Sequence, residues 1–257
     1  MRWRLPSSRT LVLALPFVWL GLFFLAPFLI VAKIAVSEAA LGIPPYAPIA
    51  RWTEQGALAL VLNLENFTLL VEDRFYLDAY LRSVRVAGIS ALICLLLGYP
   101  MAYAIARAPE ARRNLLLLLV VLPFWTSFLL RIMAWIGLLA DNGVINNLLL
   151  GLGIVAEPVR LLYTEAALYL GIVYCYLPFM VLPLYANLVK LDPALLEAAS
   201  DLGARPWRAF LAVTLPLSLP GILAGTMLVF IPAVGEFVIP DLLGGSQTLM
   251  IGKTLWN

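Results

Sequence analysis

Residues 190–208 read KLDPALLEAASDLGARPWR, a polar interruption between two long apolar stretches. Its pattern is that of two short helices broken at a glycine. Asp192 supplies an acceptor for free backbone amides, and Pro193, at the first helical position, sacrifices no hydrogen bond. The spacing predicts a helix from Ala194 to Leu202, stopped at Gly203, the residue type that tolerates a left-handed backbone. Arg205, Pro206 and Trp207 then open a second helix. On the first, Leu195, Ala198, Ala199 and Leu202 share one side, with Ser200 and Asp201 elsewhere. One reading is an amphipathic helix resting on a lipid surface. The sharper reading is a knob that enters a groove on a partner, since small residues permit close approach.

Outward from this loop lie five stretches with almost no charge. They run between Arg9 and Lys33, Arg85 and Arg107, Arg113 and Asp141 (with Arg131 inside), Glu165 and Lys190, and Arg208 and Glu236. A bilayer crossing takes about 20 helical residues, and in hydrocarbon the backbone must satisfy its own polar groups. The expected spans are therefore helices at about 10–33, 84–106, 114–138, 166–189 and 209–234, giving an all-α integral membrane chain with one transmembrane domain over 1–257. Composition agrees: 63% of residues are hydrophobic and 12% charged, against roughly a quarter charged in soluble domains. Mean hydropathy is +0.97. The first stretch has 23 uncharged residues and no A-x-A site after it, so an uncleaved anchor fits better than a secretory signal.

Basic residues set the orientation. The short segments 1–9, 107–113 and 190–208 carry nine Lys or Arg in 35 residues, whereas the other 110 loop residues carry eight. The amino terminus is thus expected inside and, after five crossings, the carboxyl end outside. No polar tail follows Trp256 and Asn257, as though a sixth crossing were cut off. The outer segments hold eleven acids against eight bases, among them Glu65, Glu72, Asp73 and Asp78, a balance that would draw a cation to the outer mouth.

The chain has no histidine, which removes the usual general base, the commonest zinc ligand and any Ser-His-Asp arrangement. No catalytic site and no metal site is expected. Cys94 and Cys175 sit in apolar runs, as small hydrophobes. A net charge of +2 gives no reason to expect nucleic acid as a partner. Gly252-Lys253-Thr254 is the nearest approach to a phosphate loop, but that pattern needs glycine where Gln247 stands.

Glu197-Ala198-Ala199, three residues, Gly203, nine residues, Val213, one residue and Leu215-Pro216 resembles the EAA loop of ABC-importer permeases, EAA-x3-G-x9-I-x-LP, with valine for isoleucine. The resemblance runs over nearly the whole chain and is to polyamine permeases, above all the putrescine type. It is carried by Asn66-Phe67-Thr68, Leu97-Gly98-Tyr99-Pro100, Pro123-Phe124-Trp125-Thr126-Ser127-Phe128, Arg131, Trp135 and the run from Pro232 to Gly245. It implies a type I ABC-importer permease fold of six helices, five of them visible here, in a bacterial inner membrane. It further implies coupling helices that dock on an ATPase, a role carried to Glu197, Ala198, Ala199 and Gly203 with Asp192 and Arg205 shaping the bend. The implied partners are a second related permease, two copies of a cytoplasmic ATP-binding subunit holding ATP and Mg, an extracytoplasmic polyamine-binding protein, and membrane lipid.

A polyamine path wants carboxylates for its ammonium groups and aromatic faces for its methylenes. Glu236 follows a 27-residue uncharged stretch among Pro232, Gly235 and Pro240, which predicts a broken helix near the outer mouth. The plainer reading has it end the span at the headgroups. Asp241 either joins it or caps the next turn. Trp125, Tyr174 and Tyr176 are cation cradles or else packing and interface anchors. Arg131 would repel such a cargo, so a carboxylate partner is expected for it, Glu236 or Asp141. The rival readings are an importer of another solute (iron, thiamine or an anion), which for an anion would put arginines in the pore instead of Glu236, and an ATP-independent secondary transporter, which should show inverted repeats.

Overall fold

The computed structural model describes residues 8–52, 58–245 and 248–256, so that Arg2, Arg4, Gln247 and Asn257 lie outside the described residues. The chain divides into two compact units, Met1–Arg74 and Phe75–Asn257, a division the apolar pattern alone does not reveal.

In the first unit, α1 (Ser8–Leu20) and α2 (Ala26–Ala35) are joined by one wide π-helical turn, Gly21–Leu25. Pro27 explains the turn: it has no N–H for a normal helical bond, and the Ala26 N–H reaches back to Gly21 O instead. Val12–Ala35 forms 24 residues of mean hydropathy 2.3 with none of the window buried, as expected for a lipid-facing span. Its end is closed by side chains. Ser37 Oγ donates to Lys33 O at 2.7 Å, and the Asn66 amide donates to Ala35 O at 3.0 Å and Ser37 O at 3.1 Å. Two three-residue strands follow, β1 (Ala50–Trp52) and β2 (Leu58–Leu60), antiparallel with Ala50 opposite Leu60, and then α3 (Glu65–Glu72). This ribbon departs from an all-helical reading, in a loop for which the sequence predicts no element.

The second unit begins within α4 (Arg74–Arg107) and continues through α5 (Glu110–Val121), a 3₁₀ turn (Leu122–Trp125), α6 (Phe128–Leu139) and α7 (Val144–Gly151). Next come α8 (Glu165–Leu188), α9 (Ala194–Asp201), α10 (Pro206–Ala209), a π-helical turn (Phe210–Thr214) and α11 (Leu215–Leu217). The last elements are α12 (Leu219–Val234), α13 (Val238–Leu242) and α14 (Ile251–Trp256). Among the described residues four helices are long and apolar enough to cross a membrane, or five if the bent pair Pro206–Leu217 and Leu219–Val234 counts as one.

Two apolar stretches are not the straight helices predicted. The third breaks at Pro123, and Thr126 and Ser127 are extended, so the run that qualifies as a span is Phe128–Gly151. The fifth bends by 63° at Ser218, between Pro216 and Pro220.

Packing centres on α8 against α12. Gly221, Gly225, Val229 and Ala233 recur every four residues and are all buried. A Cβ at Gly225 would lie 2.8 Å from Met180 Sδ, and one at Gly221 2.8 Å from Asn187 Cβ, so these helices approach at glycine distance. Both cysteines are free and buried, Cys94 Sγ lying 3.8 Å from Val173 O across the α4–α8 contact.

Candidate functional site

The bend at residues 190–208, called the inner bend after the orientation expected from the charges, folds by local rules. Asp192 Oδ1 accepts from Ala194 N at 2.9 Å, starting α9. Gly203 takes φ +79, which lets Ala204 N reach back to Ala199 O at 3.0 Å and ends the helix. Arg205 is extended at ψ 153, and Pro206 opens α10. Glu197, Ala198 and Ala199 stand on α9, none of whose residues is buried, and Leu202, on the apolar side, is 89% exposed.

This bend connects to the core through contacts the sequence did not single out. Phe210 packs edge-on against Tyr99 and Tyr103 of α4, with ring centroids at 5.6 and 5.9 Å. At the 63° bend, Ser218 Oγ donates to Leu215 O at 2.8 Å, so Tyr99 Oη is the donor in its 2.9 Å bond to Ser218 Oγ. One tyrosine thus touches both ends of the segment leading from the inner bend into α12. The only hint in the sequence was the Leu97-Gly98-Tyr99-Pro100 resemblance.

The bend after α12, called the outer bend on the same expectation, is organised around Glu236. As Pro232 and Gly235 suggest, α12 ends at Val234, and Glu236, 7% exposed, turns its carboxylate inward. Its Oε1 accepts from Phe237 N, Val238 N and Ile239 N at 3.2, 3.0 and 3.3 Å, collecting the free amides at the start of α13. Its Oε2 accepts from Tyr176 Oη at 2.5 Å. Both oxygens are therefore engaged within the chain. Gly252 of α14 rests on this bend, since a Cβ there would lie 2.4 Å from Gly235 O. Ser83 Oγ receives Ile251 N at 2.8 Å, tying α14 to α4. Asp241 neither joins Glu236 nor caps a turn, but pairs with Lys253 Nζ at 3.1 Å and stays largely exposed.

The aromatic candidates separate. Trp125 is 76% exposed at the 3₁₀ break. Tyr176 serves Glu236. Tyr174 meets Trp135 edge-on at 5.4 Å and lines a cleft of about 330 Å³ with Thr126, Leu130, Arg131, Ala134 and Leu138. Among the described residues Arg131 has no carboxylate partner, contrary to expectation. Its guanidinium lies instead over the rings of Phe124 (5.4 Å) and Phe128 (5.8 Å), and Glu236 is already satisfied by four donors.

The local charge at one cavity also differs from the average of the loops expected outside. About 670 Å³ is lined by Arg82, Arg160, Tyr163, Thr164, Glu165, Gly245 and Thr248, with Arg85 in an adjoining cleft and Arg82 paired to Glu165 at 2.5 Å. Net negative counts along a sequence do not fix the sign at one site. No group of three or more metal-ligating side chains assembles among the described residues.

Comparison with known proteins places this architecture. The family model described as binding-protein-dependent transport system inner membrane component matches residues 94–257, including both bends. The spermidine/putrescine transport system permease protein PotB of Haemophilus influenzae is 42% identical over 247 residues, 95% of this chain and 81% of that protein. PotB of Escherichia coli (strain K12) is 45% identical over 196 residues, 76% of this chain and 71% of its own length. Among solved structures, a bacterial alginate ABC transporter in complex with an alginate pentasaccharide-bound periplasmic protein matches with a TM-score of 0.65 at 20% identity, over 95% of this chain and 80% of that chain, which shows a shared fold. A multi-pass helical chain with the ABC-importer permease fold and this extent of matching belongs to the family of binding-protein-dependent transport system inner membrane components.

Proposed function

We propose that the chain is one half of the membrane pore of an ATP-driven polyamine importer, moving putrescine or spermidine inward by alternating access. It does no bond chemistry itself. A separate pair of cytoplasmic subunits binds and hydrolyses ATP with Mg, a second related permease completes the pore, and an extracytoplasmic binding protein delivers the cargo. The amino terminus lies inside, which puts residues 190–208 on the side of the ATPase.

The names of the PotB relatives support the cargo class. The observation that carries the coupling role is the inner bend: α9 is held at both ends by its own caps, yet none of its residues is buried within the chain. A short, pre-ordered knob with small residues on its uncovered side suits insertion into a groove better than a lipid surface, where a longer apolar face is the rule. In this reading Glu197, Ala198 and Ala199 enter the groove, while Asp192, Gly203 and Arg205 fix the shape that enters.

At the outer end the same reading gives the exposed ring of Trp125 and the cleft-lining Tyr174 to the methylene chain and ammonium groups of the cargo. Asp241 is the exposed carboxylate there, and an incoming ammonium competes with Lys253 for it. Glu236 and Tyr176 contribute by keeping the helix broken at that depth. The test is ATP-dependent uptake of labelled putrescine, spermidine and a neutral control into vesicles holding the reconstituted complex. Saturable uptake of the polyamines alone supports the reading, and uptake of neither polyamine, or uptake without ATP, ends it.

A further inference from the structure

Arg131 sits inside an apolar span with no acceptor of its own. Its Nε and Nη1 are buried without a hydrogen-bond partner, and it forms no ion pair among the described residues. The rings of Phe124 and Phe128 lie over the guanidinium, which shields its π faces but leaves the N–H groups unanswered, because these point outward in the guanidinium plane. Beside it opens the cleft of about 330 Å³ between the 3₁₀ break, α6 and Tyr174 of α8. Leu130 on its rim is 66% exposed, so the cleft opens away from the chain.

Buried donors of this kind are almost always paired in a finished structure, and a charged group in a span faces a partner or a cavity. Of the two carboxylates expected for it, Glu236 is saturated by three amides and a tyrosine, and Asp141 is exposed and lines a different cavity with Arg160. The cargo of the proposed importer is a cation and gives no acceptor. Among the described residues, then, nothing answers these donors.

We propose that Arg131 and its cleft receive an intramembrane carboxylate of the second permease subunit, forming a buried forked ion pair that joins the two halves of the pore. The proposal rests on the reading of this chain as one half of a paired permease. The carboxylate would enter past Thr126 and Leu130, beside the packed Trp135–Tyr174 pair, and meet the guanidinium edge-on with a two-bond fork that takes Nη2 together with Nε or Nη1. The flanking rings fix the guanidinium plane, so lysine, a rotatable point charge, is not equivalent.

The experiment uses the full complex of both permeases and the ATPase. Arg131→Gln and Arg131→Lys are compared with wild type for membrane insertion of this chain expressed alone and for its co-purification with the second permease. The expected result is normal insertion with at least about a tenfold loss of co-purification for Arg131→Gln, and an intermediate loss for Arg131→Lys, as for a bidentate contact. Replacing each intramembrane carboxylate of the second permease by glutamine should identify one whose loss is not additive with Arg131→Gln. Additivity throughout, or undiminished co-purification, overturns the proposal.

Should Arg131→Gln fail to insert, Leu130→Cys on the wild-type background gives the second measurement. Cross-linking to the second permease supports the contact, whereas labelling only by photoactivatable phospholipid assigns the cleft to a lipid and overturns it. Arg131-dependent inhibition of uptake by molybdate or sulfate would likewise overturn it in favour of an anionic cargo. Absence of polyamine uptake by the wild-type complex would defeat the cargo reading and leave co-purification, the readout for Arg131, intact.

Discussion

Two of the bends in the last third of the chain, those at residues 190–208 and at Glu236, are built in opposite ways. At the outer one, Glu236 gathers three backbone amides and the Tyr176 hydroxyl, Gly252 closes over the turn, and little is left for a partner. At the inner one, Asp192 and Gly203 shape a helix none of whose residues the chain itself buries. One bend is held by the rest of the molecule, and the other leaves its helix uncovered. A break whose polar groups are satisfied internally keeps its shape whatever the rest of the machine does. In the proposed reading, a rigid knob with an uncovered side is what the ATPase pushes.

The contrast is tested most severely at Glu236. Glu236→Ala leaves three amides and one hydroxyl without an acceptor in a buried setting, and hydrogen bonds to a charged group are worth about 1.5–3 kcal/mol each. The bonds are cooperative and water partly replaces them, so the expected net loss is about 3–5 kcal/mol, of the order seen when one side of a buried charged contact is removed. The thermal unfolding midpoint of the purified complex should fall sharply and uptake with it. An unchanged midpoint would show that the outer bend is held by packing alone. Glu236→Gln, which keeps an oxygen for the amides but turns a donating amide N–H₂ towards the Tyr176 hydroxyl, should fall between the alanine variant and wild type.

A smaller effect is expected from Tyr176→Phe, which removes one donor to the carboxylate and leaves the three amides: about 1.5 kcal/mol. If it equals the loss in Glu236→Ala, the tyrosine and not the amide cluster holds the bend. This pair also marks where reading the sequence stops. Glu236 was visible as a carboxylate among helix-breaking residues, because proline and glycine act locally. Its partner, 60 residues away in another span, was not, since no local pattern distinguishes a tyrosine that donates to a carboxylate from one that packs. Arg131 failed for the same reason: the sequence showed that a buried cation needs a partner but not that neither expected carboxylate meets it among the described residues. Tyr99, which bonds Ser218 across 119 positions, gave even less signal. By contrast the Asp192 cap, the Gly203 stop and the Pro206 start were all legible, because each depends on neighbours within a few residues. The breaks at Pro123 and Ser218 fell between these cases. Proline was visible at both, yet hydropathy averages over it and reports one continuous span.

On the fold itself the smallest effect belongs to the inner bend. A Cβ at Gly203 would meet nothing within 4 Å, so Gly203→Val costs only the left-handed backbone, φ +79, which for a side-chain-bearing residue is about 1–2 kcal/mol. Relief of that strain unwinds the Ala204 N to Ala199 O closure and turns the second short helix away from the first. Core packing between α8 and α12 is untouched, so membrane insertion and the main unfolding transition should stay at the wild-type value. ATP-driven uptake and co-purification with the ATPase should nevertheless fall at least about tenfold, a loss of about 1.4 kcal/mol or more in coupling. Gly203→Asn separates shape from composition, because asparagine enters the left-handed region more readily than other non-glycine residues and should restore most of the uptake. Normal uptake in the valine variant would mean that the uncovered side of α9 grips nothing, and would reduce the difference between the two bends to one of burial.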